Sequence, residues 1–508
     1  MDLTCLIAKK HFRLCVRVAM RVAVLLGLMW VAIGCSSHST TLNSGSGGQG
    51  GTAGGFTNAS LKGRYTYSLN GFYFPNSGYY QRAGVFIADG NGNITGGIDD
   101  FVQSAASTNP VTGNYAVASD GTGLLTLNVG TGQVQLAVVM ESGSRVDLIE
   151  FDSLASGAGV AQSQDSGVLT NPPAGTFVFR FHSDLASTVG NMIFSARLVS
   201  GNEDLVRNGT LSSVTITGTV TAPDSNGRGT INLTDSGSIS SAYIYYLIDS
   251  NTMNLLTLNM IGAPVGALGA GKAELQSSGP FALTSLQGGF VFHSSGDTLV
   301  EVEGVNTAGE FTADGKGNIP SGSYDSVVDG VPIADAALTG SYDVASNGRA
   351  TITLNPAGVS AIPEIAWLVS PSRAFFMVNV VGRAEDGTLD QQKGNPFSAS
   401  SLSGQYTFYM HGYDAQSPPQ IDRAGVASFD GKSTLAFQDY FVNRGGSMSQ
   451  TKAAGSNYTV SSTGRVATSV PGVTSNMVVY LVSGTSGYLI LGDHGSEVSG
   501  RIAQQSPP

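Results

Sequence analysis

Charged residues are scarce in this chain. Only 12% of its 508 residues are charged, while 41% are hydrophobic and 68 are glycine. A hydrophobic share of this size excludes a disordered protein, because disorder requires low hydrophobicity and high net charge. Helical periodicity is also hard to find after residue 35. Short alternating runs of β-branched and aromatic residues take its place, and they predict an all-β protein.

Cysteines are too few for a disulfide-stabilised scaffold. Cys5 and Cys15 stand near the start of the chain, and Cys35 is the third and last. If the first 34 residues are removed on export, only Cys35 is left and no intramolecular disulfide can form. The folded part then depends on apolar burial and hydrogen bonds.

Basic residues are outnumbered by acidic ones. The chain has 25 basic and 36 acidic residues, a net charge of −11. Removing residues 1–34 takes away five basic and one acidic residue, which leaves 20 against 35, a net charge of −15. This balance argues against a nucleic-acid partner and is typical of a soluble exported protein.

Catalytic and cofactor signatures are missing as well. The sequence has no zinc-type His-Glu pair, nucleophile elbow, phosphate loop or dinucleotide fingerprint. We therefore expect no enzymatic activity and no cofactor.

The first 34 residues are predicted to be a signal peptide. Five basic residues precede an uncharged apolar run of 12 residues, 22–33, which is short for a membrane span of ~20 residues. An uncleaved anchor over residues 14–33 is the alternative, but Arg17 and Arg21 would then lie in the hydrocarbon at a cost of about 3 kcal/mol each. Met20 is an alternative translation start.

The leader ends in Ala32-Ile33-Gly34-Cys35, with small residues just before the cysteine. This ending resembles the lipobox of bacterial lipoproteins, although Ala32 stands where that family most often has Leu. The resemblance implies that Cys35 is lipidated and becomes the mature N-terminus, and that the chain is attached to a membrane through this lipid. Residues 35–58 follow, and their Gly and Ser content predicts a flexible tether.

Four repeats make up the rest of the chain. Each opens with a Gly-x-aromatic-x-aromatic strand, and the four glycines, 112, 113 and 116 residues apart, are Gly63, Gly175, Gly288 and Gly404. This spacing is too long for a solenoid and predicts four β units, at 59–168, 169–280, 281–396 and 397–508. The second unit lacks the Asp-Gly hairpin and is the most diverged. Each unit closes near a glutamine, which is Gln162, Gln276, Gln391 or Gln504.

Each unit contains about eight short strands joined mostly by tight turns. Sequential hairpins favour an antiparallel meander, and eight such strands can close into a small barrel with no exposed edge. A β-sandwich is the alternative. The paired aromatics of the opening strand point to one face and are predicted to form the core.

The chain as a whole resembles tandem β-repeat lipoproteins of environmental bacteria that have no assigned activity. The resemblance rests on the lipobox and on the recurring DGxGNI and NGR turns. It implies a place in the cell envelope, at the outer membrane or the cell surface, and supplies no functional residue. The sequence does not indicate which leaflet of the membrane carries the lipid.

Acidic residues recur after the first hairpin of three units and are the candidate ligand contacts. They are Asp99, Asp100, Asp325 and Asp439. We expect them to cap a barrel rim or bind a neighbouring turn, with a paired-carboxylate site for glycoside hydrolysis as the alternative.

Two other polar patterns resemble metal ligands. Residues 89–93 alternate oxygen side chains as a calcium loop does, but the glycine and closing glutamate of such a loop are missing, which favours a plain turn. In that turn Gly92 is expected at positive φ, and so is Ser433 at the same place in unit four. His182, His293 and His411 stand one to a unit, so we expect solvated strand ends and no metal site.

Three functions remain open from the sequence. The one we favour is a monomeric, non-catalytic binding or structural module of the cell envelope, whose glycan or protein ligand is unknown. A carrier with hollow barrels for small apolar ligands is the second, and a polysaccharide hydrolase is the third.

Overall fold

The computed structural model describes residues 55–508, apart from 104–105, 131, 184–185, 208–209, 262–268, 299–303, 414–419, 453–454, 470–475 and 496. The predicted signal peptide, Cys35 and most of the predicted tether lie outside the described residues. The last tether residues are part of the fold, because Phe56 is buried in the first core cluster. Ala53–Pro508 form one compact unit.

The described residues fold into four closed antiparallel barrels in tandem, as predicted, and contain no α-helix. The strands of barrel 1 are β1 (Lys62–Tyr73), β2 (Gly78–Asp89), β3 (Asn93–Val102), β4 (Ala106–Val117), β5 (Thr122–Val129), β6 (Gly132–Ser142), β7 (Arg145–Glu150) and β8 (Ala155–Ser163). Those of barrel 2 are β9 (Gly175–Ser183), β10 (Ala186–Ser195), β11 (Leu198–Arg207), β12 (Thr210–Val220), β13 (Arg228–Asp235), β14 (Ser240–Asp249), β15 (Thr252–Ile261) and β16 (Ala270–Leu275).

Barrels 3 and 4 have the same plan with one strand interrupted in each. The strands of barrel 3 are β17 (Gln287–Thr298), β18 (Gly304–Asp314), β19 (Asn318–Ile319), β20 (Ser321–Val328), β21 (Val331–Val344), β22 (Arg349–Pro356), β23 (Ile362–Ser370), β24 (Arg373–Val378) and β25 (Arg383–Gln391). Those of barrel 4 are β26 (Ser403–Tyr413), β27 (Gln420–Asp430), β28 (Thr434–Arg444), β29 (Ser447–Lys452), β30 (Gly455–Val460), β31 (Arg465–Ser469), β32 (Asn476–Ser483), β33 (Ser486–Leu491) and β34 (Glu497–Gln504). Strands β19 and β20 together form the third strand of barrel 3, and β29 and β30 form the fourth of barrel 4.

Short 3-10 turns are the only helical elements in the part of the chain that the structure describes. They span Asn58–Ser60, Phe74–Asn76, Ser166–Val168, Leu283–Ser285 and Ala399–Ser401. None of them is long and apolar enough to span a membrane.

Each barrel closes by pairing its last strand with its first. The closing register is the same four times: Tyr65 faces Ser163, Phe177 faces Leu275, Phe290 faces Gln391 and Tyr406 faces Gln504. A sheet that closes on itself leaves no edge for pairing with other chains. The barrel prediction is therefore confirmed, and the sandwich alternative is wrong.

Aromatic side chains fill the barrels. The paired aromatics of the opening strands are at most 2% exposed, and they are Tyr65 with Tyr67, Phe177 with Phe179, Phe290 with Phe292, and Tyr406 with Phe408. Each pair belongs to a separate core cluster, one for each barrel. The interiors are therefore packed cores. Burying one such side chain stabilises the fold by about 1.5–3 kcal/mol.

The Asp-Gly hairpins are turns held by their own aspartate. The Asp89 carboxylate accepts hydrogen bonds from the Asn91 and Asn93 backbone N–H groups at 2.7 and 3.0 Å and from the Asn93 side chain at 2.8 Å. These bonds lower the pKa of Asp89 to about 2, the Asn93 side chain contributing most. Gly92 has φ 105°, as expected, whereas Ser433 is not among the residues at positive φ, so that expectation is wrong.

Four apolar clusters join the barrels to one another. Val85 and Ala83 of barrel 1 pack with Tyr246 of barrel 2, and Val178 of barrel 2 packs with Trp367 of barrel 3. The other two clusters join barrel 3 to barrel 4 and barrel 4 back to barrel 1. The barrels therefore contact one another in a cycle, and each buries part of its outer surface against two neighbours.

A glutamine directly after the last strand of each barrel binds the next barrel. Its side-chain N–H group donates to one carbonyl in the turn before the fifth strand and to one in the sixth strand of that barrel. These residues are Gln164 (to Asn226 and Leu247), Gln276 (to Asn347 and Leu368), Gln392 (to Thr463 and Leu481) and Gln505 (to Asp120 and Met140). Gln505 thus closes the cycle by binding barrel 1 as the others bind their successors.

Candidate functional site

Asp100 lies between barrels 1 and 2. Its buried carboxylate accepts two hydrogen bonds from the Arg228 guanidinium, at 2.6 and 3.1 Å, and one from the Tyr246 hydroxyl. Arg228 opens the fifth strand of barrel 2, and Tyr246 lies on its sixth strand. Arg228 and Tyr246 therefore fix barrel 2 on the outer face of barrel 1.

The same arrangement recurs at the next two interfaces. Asp325 of barrel 3 accepts two hydrogen bonds of 2.7 Å from Arg465 and one from Tyr480, both in barrel 4. Asp204 of barrel 2 accepts two of 2.8 Å from Arg349 and one of 2.8 Å from the Trp367 indole, both in barrel 3. Bidentate pairs of this kind are among the strongest polar contacts in proteins.

Sequence reasoning missed Asp204, because unit two lacks the hairpin that marked the other aspartates. The signal was the arginine of the Gly-Arg turns, which recurs as Arg228, Arg349 and Arg465. Unit one has Thr122 at that place, so the interface of barrel 4 with barrel 1 carries no arginine there. Instead, Asp422 of barrel 4 accepts hydrogen bonds from the Ser156 hydroxyl at 2.6 Å and from the Gly157 backbone N–H at 2.8 Å.

The other two predicted aspartates lie elsewhere. Asp99 points into barrel 1, where the Tyr67 hydroxyl donates to it at 2.5 Å and Arg82 is 3.6 Å away. Burial raises the pKa of Asp99 despite Arg82. The side chain of Asp439 lies outside the described residues. The structure does not bring Asp99, Asp100 and Asp325 together.

A cavity of about 600 Å³ lies where the four barrels meet. Pockets of 300–1,000 Å³ are typical of sites for small molecules. Outward-facing residues of the opening strands line it in layers, at five and seven residues after the opening glycine. The first layer is Ser68, Arg180, His293 and Tyr409, and the second is Asn70, His182, Ser295 and His411.

Basic residues from all four barrels line this central cavity, and each is ion-paired. Arg373 of barrel 3 binds Glu274 of barrel 2 at 2.6 Å, and Arg501 of barrel 4 binds Glu141 of barrel 1 at 2.8 Å. Lys272 of barrel 2 is 3.4 Å from Glu274, and Arg145 of barrel 1 is 3.1 Å from Glu141. The four barrels therefore meet in a network of charges that crosses their interfaces.

Burial and neighbouring cations act on this network. Burial, opposed by Glu274 and reinforced by Arg373 and Arg145, lowers the pKa of Lys272 to about 8. The pKa of Glu274 is lowered, because Arg373 and Lys272 outweigh the effect of burial. A ligand entering the cavity therefore meets ionised groups with fixed partners.

All three histidines that the sequence placed at strand ends face the cavity, so the expectation of solvated ends is wrong. His182 of barrel 2 is 2.6 Å from the Asp386 carboxylate of barrel 3, and His411 is 2.5 Å from Asp422. His293 stacks on Tyr488 with ring centroids 5.2 Å apart. Burial and the charge of Arg180 lower the pKa of His293 to about 4. Among the described residues no three His, Cys, Asp or Glu side chains form a group that could hold a metal.

Half-buried aromatic rings also line the cavity, and two of them, Phe72 and Tyr413, stand nine residues after their opening glycines. Phe72 packs edge-on against Tyr79 with centroids 5.6 Å apart, and the Tyr413 hydroxyl of barrel 4 donates to the Tyr79 hydroxyl at 2.8 Å. We call these three residues the aromatic rim. Sequence reasoning missed them, although unit one alone has a first hairpin this rich in aromatics, with Phe72-Tyr73-Phe74 on one side and Tyr79-Tyr80 on the other.

No family model matches this chain, and no curated protein does. Several solved structures are similar to this chain. The intact Ap-TbpB with N and C lobes is 10% identical, with 87% of this chain and 95% of that chain covered and a TM-score of 0.19. A double mutant of the vaccine antigen transferrin binding protein B from Haemophilus parasuis Hp5 is 12% identical, with 71% and 82% covered and a TM-score of 0.16. At these TM-scores the likeness carries no argument about function.

Proposed function

We propose that this chain is an exported, lipid-anchored envelope protein, at the outer membrane or the cell surface, whose four barrels form one non-catalytic binding module. Its binding site is the central cavity. The observation that carries this proposal is the contrast between core and cavity. The core aromatics repeat in all four barrels, whereas the first layer of the cavity has a different residue in each barrel, namely Ser68, Arg180, His293 and Tyr409.

The filled barrels argue against a carrier that holds its ligand inside a barrel. Such a carrier needs an interior cavity, and here side chains such as Tyr65, Tyr67 and Phe177 occupy the interiors. The space for a ligand lies between the barrels.

Two of the four carboxylates that line the cavity are held in ion pairs, which argues against a hydrolase. A glycosidase needs one carboxyl whose pKa is raised so that it can act as an acid. Asp386 faces the cavity with its pKa lowered, because His182 and Arg180 outweigh the effect of burial. Asp390 is bound by Arg373 at 2.6 Å and by the Tyr488 hydroxyl. These contacts favour a binding role.

Cys35 carries the anchor in this proposal, and lipid labelling tests it. Cells that express the full chain are fed a radioactive fatty acid. We expect the parent to be labelled and the Cys35→Ala variant not to be, with Cys15→Ala as the matched control. Equal labelling of parent and Cys35→Ala would contradict the lipoprotein assignment.

A variant that fills the cavity tests the binding site. Ser295 lies in the second layer, so Ser295→Trp should occupy the space that a ligand needs. Ser212→Trp places the same ring at an exposed position of barrel 2 that does not line the cavity, and it serves as the control. A chemically mixed small-molecule panel is screened by native mass spectrometry on the full chain. We expect at least one compound to bind the parent and Ser212→Trp and to be lost in Ser295→Trp. Binding that is indifferent to Ser295→Trp, or none at all, would overturn the site.

A further inference from the structure

The aromatic rim offers an unusual surface next to a polar cavity. Phe72, Tyr79 and Tyr413 are half-buried, and all three line the cavity. They come from two barrels that approach each other through the hydroxyls of Tyr79 and Tyr413, 2.8 Å apart. A core needs full burial of such rings, but these three remain partly exposed at the cavity wall.

The rest of the cavity wall is polar and close to charge balance. Its lining contains five basic side chains and four carboxylates, counted with histidine neutral. A site for a polyanion would carry a clear excess of basic groups. This balance therefore points to a ligand without net charge.

The ion pairs present donors and acceptors side by side. Arg180 and His182 both bind Asp386, at 2.7 and 2.6 Å, and Arg373 binds Asp390 at 2.6 Å. A hydroxyl can accept a hydrogen bond from the guanidinium and donate one to the adjacent carboxylate, because it has both functions. A ligand that carries several hydroxyls can therefore use these pairs without breaking them.

From the rim, the charge balance and the paired groups together, we infer that the cavity binds a short neutral saccharide. One face of a sugar ring is apolar and packs on Phe72 or Tyr413, while its hydroxyls reach the Arg180–Asp386 and Arg373–Asp390 pairs. This inference rests on the proposed function, because it names the ligand class of the same site.

Calorimetric titration of the full-length chain in detergent tests the inference. The probes are three neutral trisaccharides, cellotriose, maltotriose and N-acetylated chitotriose, and one acidic counterpart, the trimer of galacturonic acid. We expect at least one neutral probe to bind and the acidic trimer to bind more weakly. The binding should be lost in Ser295→Trp and kept in Ser212→Trp.

Two phenylalanines of one hairpin provide the matched variants. Phe72 lines the cavity. Its neighbour Phe74 does not line the cavity, although the centroids of the two rings are only 5.9 Å apart. Phe72→Ala should raise the Kd about tenfold, because stacking on one ring contributes up to about 1.4 kcal/mol. Phe74→Ala should leave the Kd unchanged, and Phe72→Tyr should restore binding. An unchanged thermal melt shows that each variant is folded.

The outcomes separate this inference from the proposed function. If compounds of the mixed panel bind in a way that Ser295→Trp abolishes, but no neutral trisaccharide does, the saccharide inference is wrong and the cavity remains a binding site. Stronger binding of the acidic trimer, or equal effects of Phe72→Ala and Phe74→Ala, would overturn it as well. If nothing binds in a manner that Ser295→Trp abolishes, both proposals fail.

Discussion

Replacing Arg465 with alanine should weaken the interface between barrels 3 and 4. It should lower the free energy of unfolding by more than the replacement of an exposed arginine does. The Asp325 carboxylate is only 2% exposed and accepts two hydrogen bonds from Arg465, whose own side chain is 15% exposed. Removing the arginine leaves a buried charge without its cation. Such a change costs about 3–5 kcal/mol in the free energy of unfolding.

Two hydrogen bonds to Asp325 survive the substitution and place the expected cost near the lower end of this range. They come from the Tyr480 hydroxyl and from the Asp335 backbone N–H at 3.1 Å. Asp335 also lies 3.6 Å from Arg465, but its side chain is 66% exposed, so that ion pair adds little. We therefore expect a loss of about 3 kcal/mol.

Urea denaturation of the full chain measures this loss. Arg197→Ala is the control, because Arg197 is exposed in the turn between β10 and β11, and its replacement should change the free energy of unfolding by less than about 0.5 kcal/mol. Adding Asp325→Asn to Arg465→Ala should restore part of the stability, because the buried charge is then gone. The reasoning is refuted if Arg465→Ala behaves like Arg197→Ala, or if the double variant is less stable than Arg465→Ala alone.

Three further predictions concern the cycle of barrels, the Asp-Gly hairpins and the dependence of stability on pH. Gln505→Ala removes hydrogen bonds of 2.8 and 3.0 Å to barrel 1 and should destabilise the chain to urea by about 1–3 kcal/mol, whereas Gln504→Ala, which loses a bond within barrel 4, should cost less. Gly92→Val places a β-branched residue at φ 105° and should lower the melting temperature, while Ser433→Gly should bring no gain and a chelator should change neither result. The pKa of His182 is raised, because the charge and hydrogen bond of Asp386 outweigh burial, so its stabilising effect is complete below the unfolded pKa of about 6.5 and is lost as pH rises through the folded value. His182→Asn should therefore flatten the fall in stability above about pH 6.5, whereas replacing the exposed His494 should not, and equal pH profiles for the parent and His182→Asn would contradict this assignment.

The barrels could be predicted from the sequence because their signals are local. Alternation along each strand identified the core faces, and short turns between consecutive strands left an antiparallel meander as the simplest topology. The spacing of Gly63, Gly175, Gly288 and Gly404 then gave the number of barrels. The closing register, in which Tyr65 faces Ser163, follows once the eighth strand returns to the first.

The sequence carries a partial signal for the contacts between the barrels. Strands such as 243–248 and 375–380 are apolar on both faces, which indicates burial on both sides. Tyr245 fills barrel 2, while its neighbour Tyr246 packs on barrel 1. An outer face of this kind predicts a neighbouring surface but does not say which one.

The central cavity had no local signal at all. Glu274 and Arg373 are 99 residues apart, and Glu141 and Arg501 are 360 apart. Each reads in the sequence as an ordinary polar residue on the outer side of a strand. Only the cyclic arrangement of the barrels brings such residues together, and that arrangement depends on apolar contacts such as Val178 against Trp367.

The closure of the cycle through Gln505 gives the four barrels the geometry of a small cyclic oligomer built from one chain. Each interface joins unlike faces of two neighbours, which is how head-to-tail contacts generate a closed ring. In a ring of identical subunits, every substitution would appear four times around the axis. Here a single change at Ser68, Arg180, His293 or Tyr409 alters one wall of the cavity and leaves the other three untouched. Covalent linkage thus lets a symmetric scaffold present an asymmetric surface to one asymmetric molecule.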